Sequence, residues 1–386
     1  MNLEELLSSL VGTEEIELEN VSVDAEELVL KVQQAIVSAG LPAPAARLAP
    51  EVAEASGPVR FETPIREYKG EVVEVQMGAT KSEGGTRRKV IKLGGQKSLF
   101  WFEGGIRNRP VVTFDVFDVA PPLPRAIREH VEDVWDSPAE WAKKAVKLGA
   151  DLVTIHLTST DPNNQNTTPK EAARVVEDIL QAVDVPLVIG GSGTPEKDPL
   201  VLEKCAEAAE GERCLLASAN LDLDYKKIAQ AAIKYRHNVL SWTSMNINDQ
   251  KSLNRLLFDE GLPKEQIVQD PTTGALGYGL DYTYSIIERM KIGALKGDEE
   301  LQMPISCGVT NAWGARESWL KNDEWGPREY RGPLWEILTG LAVLMAGADI
   351  MMMLHPTAVK TVKDVILSMT GEKKSRPVKY EDWITL

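Results

Sequence analysis

A rhythm begins at residue 110 that limits the folds open to this chain. From there, short apolar runs rich in β-branched residues alternate with amphipathic helical stretches. The runs are PVVTFDVF (110–117), DLVTIHL (151–157), PLVIGG (186–191), CLLASA (214–219), NVLSWTS (238–244), QIVQD (266–270), PISCGV (304–309) and DIMMMLH (349–355). Between them, SPAEWAKKAVKLGA and TPKEAARVVEDILQAV open on Ser-Pro or Thr-Pro and carry Glu in the first turn, as a helix N-terminus should. Strands alternating with helices predict βα units and a parallel sheet. Eight such units in roughly 250 residues are what a (β/α)8 TIM barrel requires. A doubly wound open sheet is the competitor, but it would place a Gly-rich phosphate turn after its first strand, where this chain has FDVFDVAPPLPR. The expected fold class is α/β, with a TIM barrel over residues 110–375 and a tail at 376–386.

Upstream of the barrel, the stretch from Glu71 to Pro110 alternates apolar and polar residues around Gly-Gly turns, which predicts a small antiparallel β module at 61–109. Residues 1–60 read as an acidic N-terminal segment. In it, VDAEELVLKVQQAIVSAG is an expected helix and LPAPAARLAPEVAEASGP an Ala/Pro-rich tether. Charge follows the same division. Residues 1–60 carry 11 acidic and 3 basic side chains, whereas residues 61–109 carry 6 acidic and 10 basic ones. A basic segment between acidic ones suggests a separate module.

The whole chain has a net charge of −15, which argues against nucleic acid or an anionic membrane as partner, since both demand a cationic face. Three cysteines (Cys205, Cys214, Cys307) form no C-x-x-C pair, so no iron–sulfur cluster is expected in this chain and no disulfide framework either. The opening MNLEELLSSL lacks the basic start of a signal peptide, and no apolar run reaches the ~18 residues of a spanning helix, so a cytoplasmic location is expected.

In a barrel, chemistry gathers where strands hand over to loops at their C-terminal ends. The chain offers Asp115, Asp118, His156, the Gly190-Gly191-Ser192-Gly193 turn, Ser218, Asn220, Ser241, Ser244, Asp270, Asn311 and His355 there. A Schiff-base aldolase needs a strand-end lysine, and none of the eight runs supplies one. A metal-dependent hydrolase needs converging His and carboxylate ligands, and only His156 and His355 lie on strands. The Gly-Gly-Ser-Gly turn could cradle a phosphate with its backbone N–H groups, although a tight βα turn explains it equally well. More specific is CGVTNAWGARESW (307–319) followed by DEWGPREYRGPLWE (323–336). Trp313, Trp319, Trp325 and Trp335 fall there among Arg316, Arg328 and Arg331. Tryptophan and arginine on a loop suit an interface hot spot or a platform for a large planar ligand. The plainer reading is a loop stapled over its own barrel by aromatic packing.

These strings, taken in order with GADLVTIHLTSTDPN, VIGGSGTPEKDP, LLASANLD, QDPTTGALGYGLDYT and MMMLHPTAV, carry a resemblance that runs across the whole barrel. The chain resembles the family formed by the small subunit of the corrinoid iron–sulfur protein and the delta subunit of the archaeal acetyl-CoA decarbonylase/synthase complex. The resemblance implies a non-catalytic subunit of a heterodimer. A large subunit would hold the [4Fe–4S] cluster and most of the cobalamin (corrinoid) site, and the barrel mouth would close over the cofactor. The implied partners are that large subunit, a methyltetrahydrofolate methyltransferase and acetyl-CoA synthase/CO dehydrogenase, in the reductive acetyl-CoA pathway. The residues implied to contact the corrinoid are Asn311, Ala312, Trp313, Gly314 and Arg316. Asp270, the Gly191-Ser192-Gly193 turn and His355 come second. No metal ligand is implied, since the cobalt-ligand string Asp-x-His-x-x-G is absent: Arg128, Thr154, Tyr235 and Met353 stand two residues before the four histidines.

The family is also similar to pterin-binding barrels that take a methyl group from methyltetrahydrofolate. Asp270 stands where those place an aspartate for the pterin ring, and Asn311 resembles their strand-seven asparagine. The chain departs from them in ending its third strand on VIGGSG, where such barrels present a carboxylate, and its fourth on ASAN. A buried polar group left unpaired by such a loss costs about 1–3 kcal/mol. The alternative reading is a barrel that itself binds methyltetrahydropterin and catalyses methyl transfer.

Overall fold

The computed structural model describes residues 66–100 and 103–373. The acidic segment at 1–60, with its expected helix and tether, and the tail at 376–386 lie outside the described residues. The first elements are two short antiparallel strands, β1 (Glu74–Met77) and β2 (Ile91–Gly94), in register from Glu74 opposite Gly94 to Met77 opposite Ile91.

The barrel strands follow: β3 (Val111–Phe117), β4 (Leu152–His156), β5 (Leu187–Gly190), β6 (Leu215–Ala219), β7 (Asn238–Trp242), β8 (Ile267–Asp270), β9 (Ser306–Gly308) and β10 (Ile350–Met353). Each begins within two residues of the start expected from the sequence. All eight are parallel, in the order β8-β7-β6-β5-β4-β3-β10-β9, and a bridge between Gln269 and Ile305 joins the two ends. The helices between strands are α1 (Arg125–Val131), α2 (Pro138–Lys147), α3 (Pro169–Ala182), α4 (Asp198–Ala208), α5 (Tyr225–Tyr235), α6 (Ile247–Asp259), α7 (Leu280–Leu295), α8 (Arg316–Trp319), α9 (Arg328–Ala346) and α10 (Pro356–Met369). The helix starts are built as the sequence suggests. Ser137 caps α2 ahead of Pro138. Thr168 forms a full capping box with Glu171 on α3, and such a cap is worth about 1 kcal/mol. Among the described residues no helix is long and apolar enough to cross a membrane.

The lower interior of the barrel is a layer of Val111, Leu152, Val188, Leu215, Leu240, Val268, Ile350 and Met352. Val75, Met77 and Leu93 from the β1–β2 hairpin pack into the same cluster. The hairpin therefore plugs the floor of the barrel, because its inward face carries large apolar side chains that must leave water; each contributes about 1.5–3 kcal/mol. Two buried charged groups pin the plug. Arg87 donates to Glu212 at 2.8 Å and to the carbonyls of Val183 and Leu180 at 2.5 and 2.7 Å. Lys291 on α7 pairs with Asp349 at 2.7 Å, and Gln96 hydrogen-bonds both of them. Part of the basic charge of this segment is thus used internally. With the floor sealed, the upper end is left as the open mouth.

Candidate functional site

The C-terminal ends of the strands surround a cavity of about 290 Å³ at the barrel mouth. β4 contributes Thr154 and His156, β5 Gly190 with Gly191, β8 Asp270, and the turn after β9 Asn311. The parallel register brings these ends level, with Phe117 beside His156, His156 beside Gly190, and Trp242 beside Asp270. Asp270 is buried, and its Oδ1 accepts from the Thr272 N–H at 2.9 Å. Burial pushes its pKa up to about 7 against that hydrogen bond, so near neutrality it can hold or release a proton. Asn311 is exposed on the rim and donates through Nδ2 to the Thr273 carbonyl at 2.9 Å, which fixes the direction of its amide.

The Gly-Gly-Ser-Gly turn is occupied by a carboxylate of its own chain. Asp198, the first residue of α4, accepts from the Ser192 N–H and hydroxyl at 3.0 Å each and from the Gly193 N–H at 2.8 Å. A Cβ on Gly191 would lie 2.5 Å from the Asp198 carboxylate, so glycine is required there for the close approach. The donors that a phosphate would need are therefore already taken, and the turn reads as a rigid βα connection. Gly191, Gly193 and Asp198 all line the mouth.

On the first two barrel strands, Asp115 is buried. It receives the Thr310 hydroxyl on Oδ2, and its Oδ1 lies 3.3 Å from His156 Nε2. Phe117 stacks on the His156 ring at 4.9 Å. Asp118 is fully engaged by Val119 N–H, Thr158 Oγ1 and the Ser159 N–H and hydroxyl.

The tryptophan segment divides. Trp313 is buried behind the mouth and donates through Nε1 to Glu336 at 2.9 Å, its ring stacked 5.9 Å from His355. Glu336 also accepts from the N–H groups of Leu354 and His355 at 2.5 and 3.0 Å, so this one carboxylate ties α9, the Trp313 loop and the end of β10 together. Burial raises the Glu336 pKa to about 7 despite those three donors. His355 caps α10, accepting the Thr357 N–H on Nδ1 at 3.1 Å; burial and then the neighbouring His130 lower its pKa to about 4. Ala312 is buried, while Gly314 and Trp313 face a second cavity of about 580 Å³ beside the mouth, walled by Pro122, Leu123, Trp319 and Arg328. Arg316 is exposed on α8, and its side chain makes no hydrogen bond or ion pair among the described residues. Arg331 is instead a staple. Its guanidinium donates to the carbonyls of Glu317, Leu320 and Gly326 at 2.5, 2.7 and 3.2 Å and lies 5.4 Å from the Trp325 ring.

Of the residues singled out by sequence, Asp270, Asn311, Gly191 and Gly193 meet at one cavity, whereas Trp313 and His355 support it from behind. The sequence reading missed Glu336, Asp198 and Thr310. Glu336 left a signal, as a lone carboxylate inside the apolar run LWEILTGLAVLMA. Asp198 left none, since Lys-Asp-Pro reads as an ordinary helix start. Among the described residues no cluster of three or more His, Cys, Asp or Glu is arranged to hold a metal ion, and all three cysteines are buried.

A family model described as CO dehydrogenase/acetyl-CoA synthase delta subunit matches residues 74–322. The acetyl-CoA decarbonylase/synthase complex subunit delta of Methanocaldococcus jannaschii is 52% identical, covering 100% of this chain and 97% of that protein. The subunit of the same name from Methanothermobacter thermautotrophicus is 55% identical, covering 99% of this chain and 97% of that one. Among solved structures, a Yersinia pestis dihydropteroate synthase in a sulfonamide drug complex is 18% identical with a TM-score of 0.48, covering 69% of this chain and 95% of that one.

Proposed function

This chain belongs to the CO dehydrogenase/acetyl-CoA synthase delta subunit family, and from that premise we propose that its barrel mouth covers a corrinoid held mainly by a large, [4Fe–4S]-bearing partner subunit. In this reading the chain is a non-catalytic part of a methyl carrier. The methyl group comes from methyltetrahydrofolate through a separate methyltransferase and goes on to acetyl-CoA synthase. When bound, the corrinoid supplies the atom that takes up and passes on the methyl group.

The observation that carries the reading is the shape and chemistry of the mouth. A cavity of about 290 Å³ sits at the lower edge of what drug-sized ligands occupy, and it is too small to enclose a corrin macrocycle. Its rim suits one face of that macrocycle. Asn220, Asn311 and Thr272 are amide and hydroxyl groups of the kind that pair with the cofactor's carboxamide side chains, and Arg316 on α8, unengaged among the described residues, adds further donors. The remaining residues hold this rim in place. Asp198 locks the turn at Gly191, Ser192 and Gly193, while Glu336 fixes Trp313 and His355 beneath Ala312 and Gly314. A rim that closes over the cofactor would exclude water from a strongly reducing centre, which is the service such a subunit can perform without touching the metal.

A second reading, in which this barrel itself binds a methyl-pterin, is favoured by Asp270 and Asn311 lining one cavity. Against it, the carboxylate that reaches the third strand end, Asp198, already has its hydrogen bonds filled from within the chain. Co-expression with a large subunit under anaerobic conditions, followed by size exclusion and visible spectroscopy, separates the two. A coloured one-to-one complex that loses corrinoid on Asn311→Ala or Arg316→Ala is the expected result. A colourless, unassociated barrel that binds methyltetrahydropterin would overturn it.

A further inference from the structure

Among the carboxylates around the mouth, Asp118, Asp198 and Asp270 each accept hydrogen bonds from named N–H or O–H groups. Asp115 differs. It is 2% exposed, its Oδ2 is taken by Thr310, and among the described residues its buried Oδ1 has no hydrogen-bond donor in ordinary geometry. The group facing that oxygen is His156 Nε2, 3.3 Å away, which is likewise buried and has no other partner among the described residues. A buried acceptor left without a donor costs about 1–3 kcal/mol, so the imidazole proton belongs on Nε2, the ring nitrogen next to Asp115.

The consequence falls on the other ring nitrogen. Nδ1 makes no hydrogen bond among the described residues and lies toward Gly190 on the cavity wall, where a Cβ would stand 3.4 Å from it. Gly190 does not have a positive φ; a Cβ there would crowd the Ile155 carbonyl at 3.2 Å as well as Nδ1, so glycine both fits the close strand and leaves Nδ1 open to the mouth. Phe117, stacked on the ring, holds its plane. We infer that Asp115 selects the Nε2–H tautomer of His156, leaving Nδ1 as a hydrogen-bond acceptor at the barrel mouth for an N–H-bearing ligand. The inference deepens the proposed function and rests on the mouth facing a ligand of the methyl-transfer reaction. Carboxamide NH2 groups of a corrin and ring or amino N–H groups of a pterin share this chemistry.

With four histidines in the sequence, the full chain labelled with ¹⁵N in its imidazoles gives a readable long-range ¹H–¹⁵N correlation at pH 8. His156→Gln assigns the signal. The expected wild-type pattern has the proton on Nε2. In Asp115→Asn the oxygen can keep Thr310 while the amide NH2 faces the ring, so the proton should move to Nδ1 and the acceptor should be lost. Dicyanocobinamide and 5-methyltetrahydrofolate are then added separately. An upfield shift of wild-type Nδ1 with cobinamide, absent in Asp115→Asn, supports the inference with a corrin amide as donor. A shift with 5-methyltetrahydrofolate alone supports it with a pterin donor and counts against the corrinoid-covering function. A proton on Nδ1 in the wild type, or no response of Nδ1 to either compound, overturns it.

Discussion

Asp270 and Glu336 are carboxylates whose burial raises their pKa from 3.8 and 4.5 to about 7. Unfolded, both release their protons near pH 4; folded, both hold them to about pH 7. Between those limits the folded state binds more protons, so their contribution to stability is complete below pH 4 and is lost as pH rises through 7. Asp270→Asn keeps the acceptor for Thr272 and removes one of these titrations. The stability advantage of the variant over wild type should therefore widen by roughly 3 kcal/mol between pH 5 and pH 8, at about 1.4 kcal/mol per pH unit. Urea unfolding at the two pH values measures it, and a constant difference would refute the assignment. At this scale the sequence was partly legible. Asp270, Asn311 and Gly191 could be placed at the mouth because they end strands whose positions follow from apolar runs. The pairing of Asp115 with His156 could not be seen, because it depends on the side-by-side register of two strands. Glu336 stood out only as a lone carboxylate in an apolar helical run, and its three donors are visible only in the folded contacts.

At the scale of elements, the segment from Val309 to Ala346 is stapled from within. Gly332, in the second turn of α9, faces the Trp313 ring so closely that a Cβ there would lie 2.4 Å from it. Gly332→Ala should therefore displace the indole, break its hydrogen bond to Glu336 and cost about 1–3 kcal/mol, read as a lowered thermal midpoint with changed tryptophan fluorescence. Arg331→Ala should free the carbonyls of Glu317, Leu320 and Gly326, and limited proteolysis would then cut between residues 317 and 326 in the variant well before the wild type. The sequence pattern of Trp with Arg suggested both a ligand platform and a self-stapled loop. Arg331 and Trp313 follow the second description, whereas Trp319, 41% exposed, and Arg316 remain on the surface. Composition could not divide the cluster, since tryptophan and arginine serve both uses. The helix starts and strand positions were legible because capping boxes and apolar runs are local signals.

For the whole molecule, the sealed floor and open mouth give the barrel its polarity. The basic stretch before the barrel suggested a separate module by charge, yet its apolar residues Val75, Met77 and Leu93 enter the barrel interior. Charge is a surface signal, and the alternation that turned this face inward was the better guide. Met77→Ala should leave a cavity in the floor and cost about 2–5 kcal/mol of global stability, measured by urea denaturation. The proposed cover for a partner's cofactor is the mouth, rather than the floor or the helical sides. The most direct test is hydrogen exchange of the anaerobic complex with the large subunit, compared with and without corrinoid. The expected result is slowed exchange confined to the strand-end segments at 190–193, 218–223, 270–274 and 308–316, with the β1–β2 hairpin unchanged. Protection at the hairpin or along the outer helices, with the mouth segments exchanging equally in both samples, would contradict it.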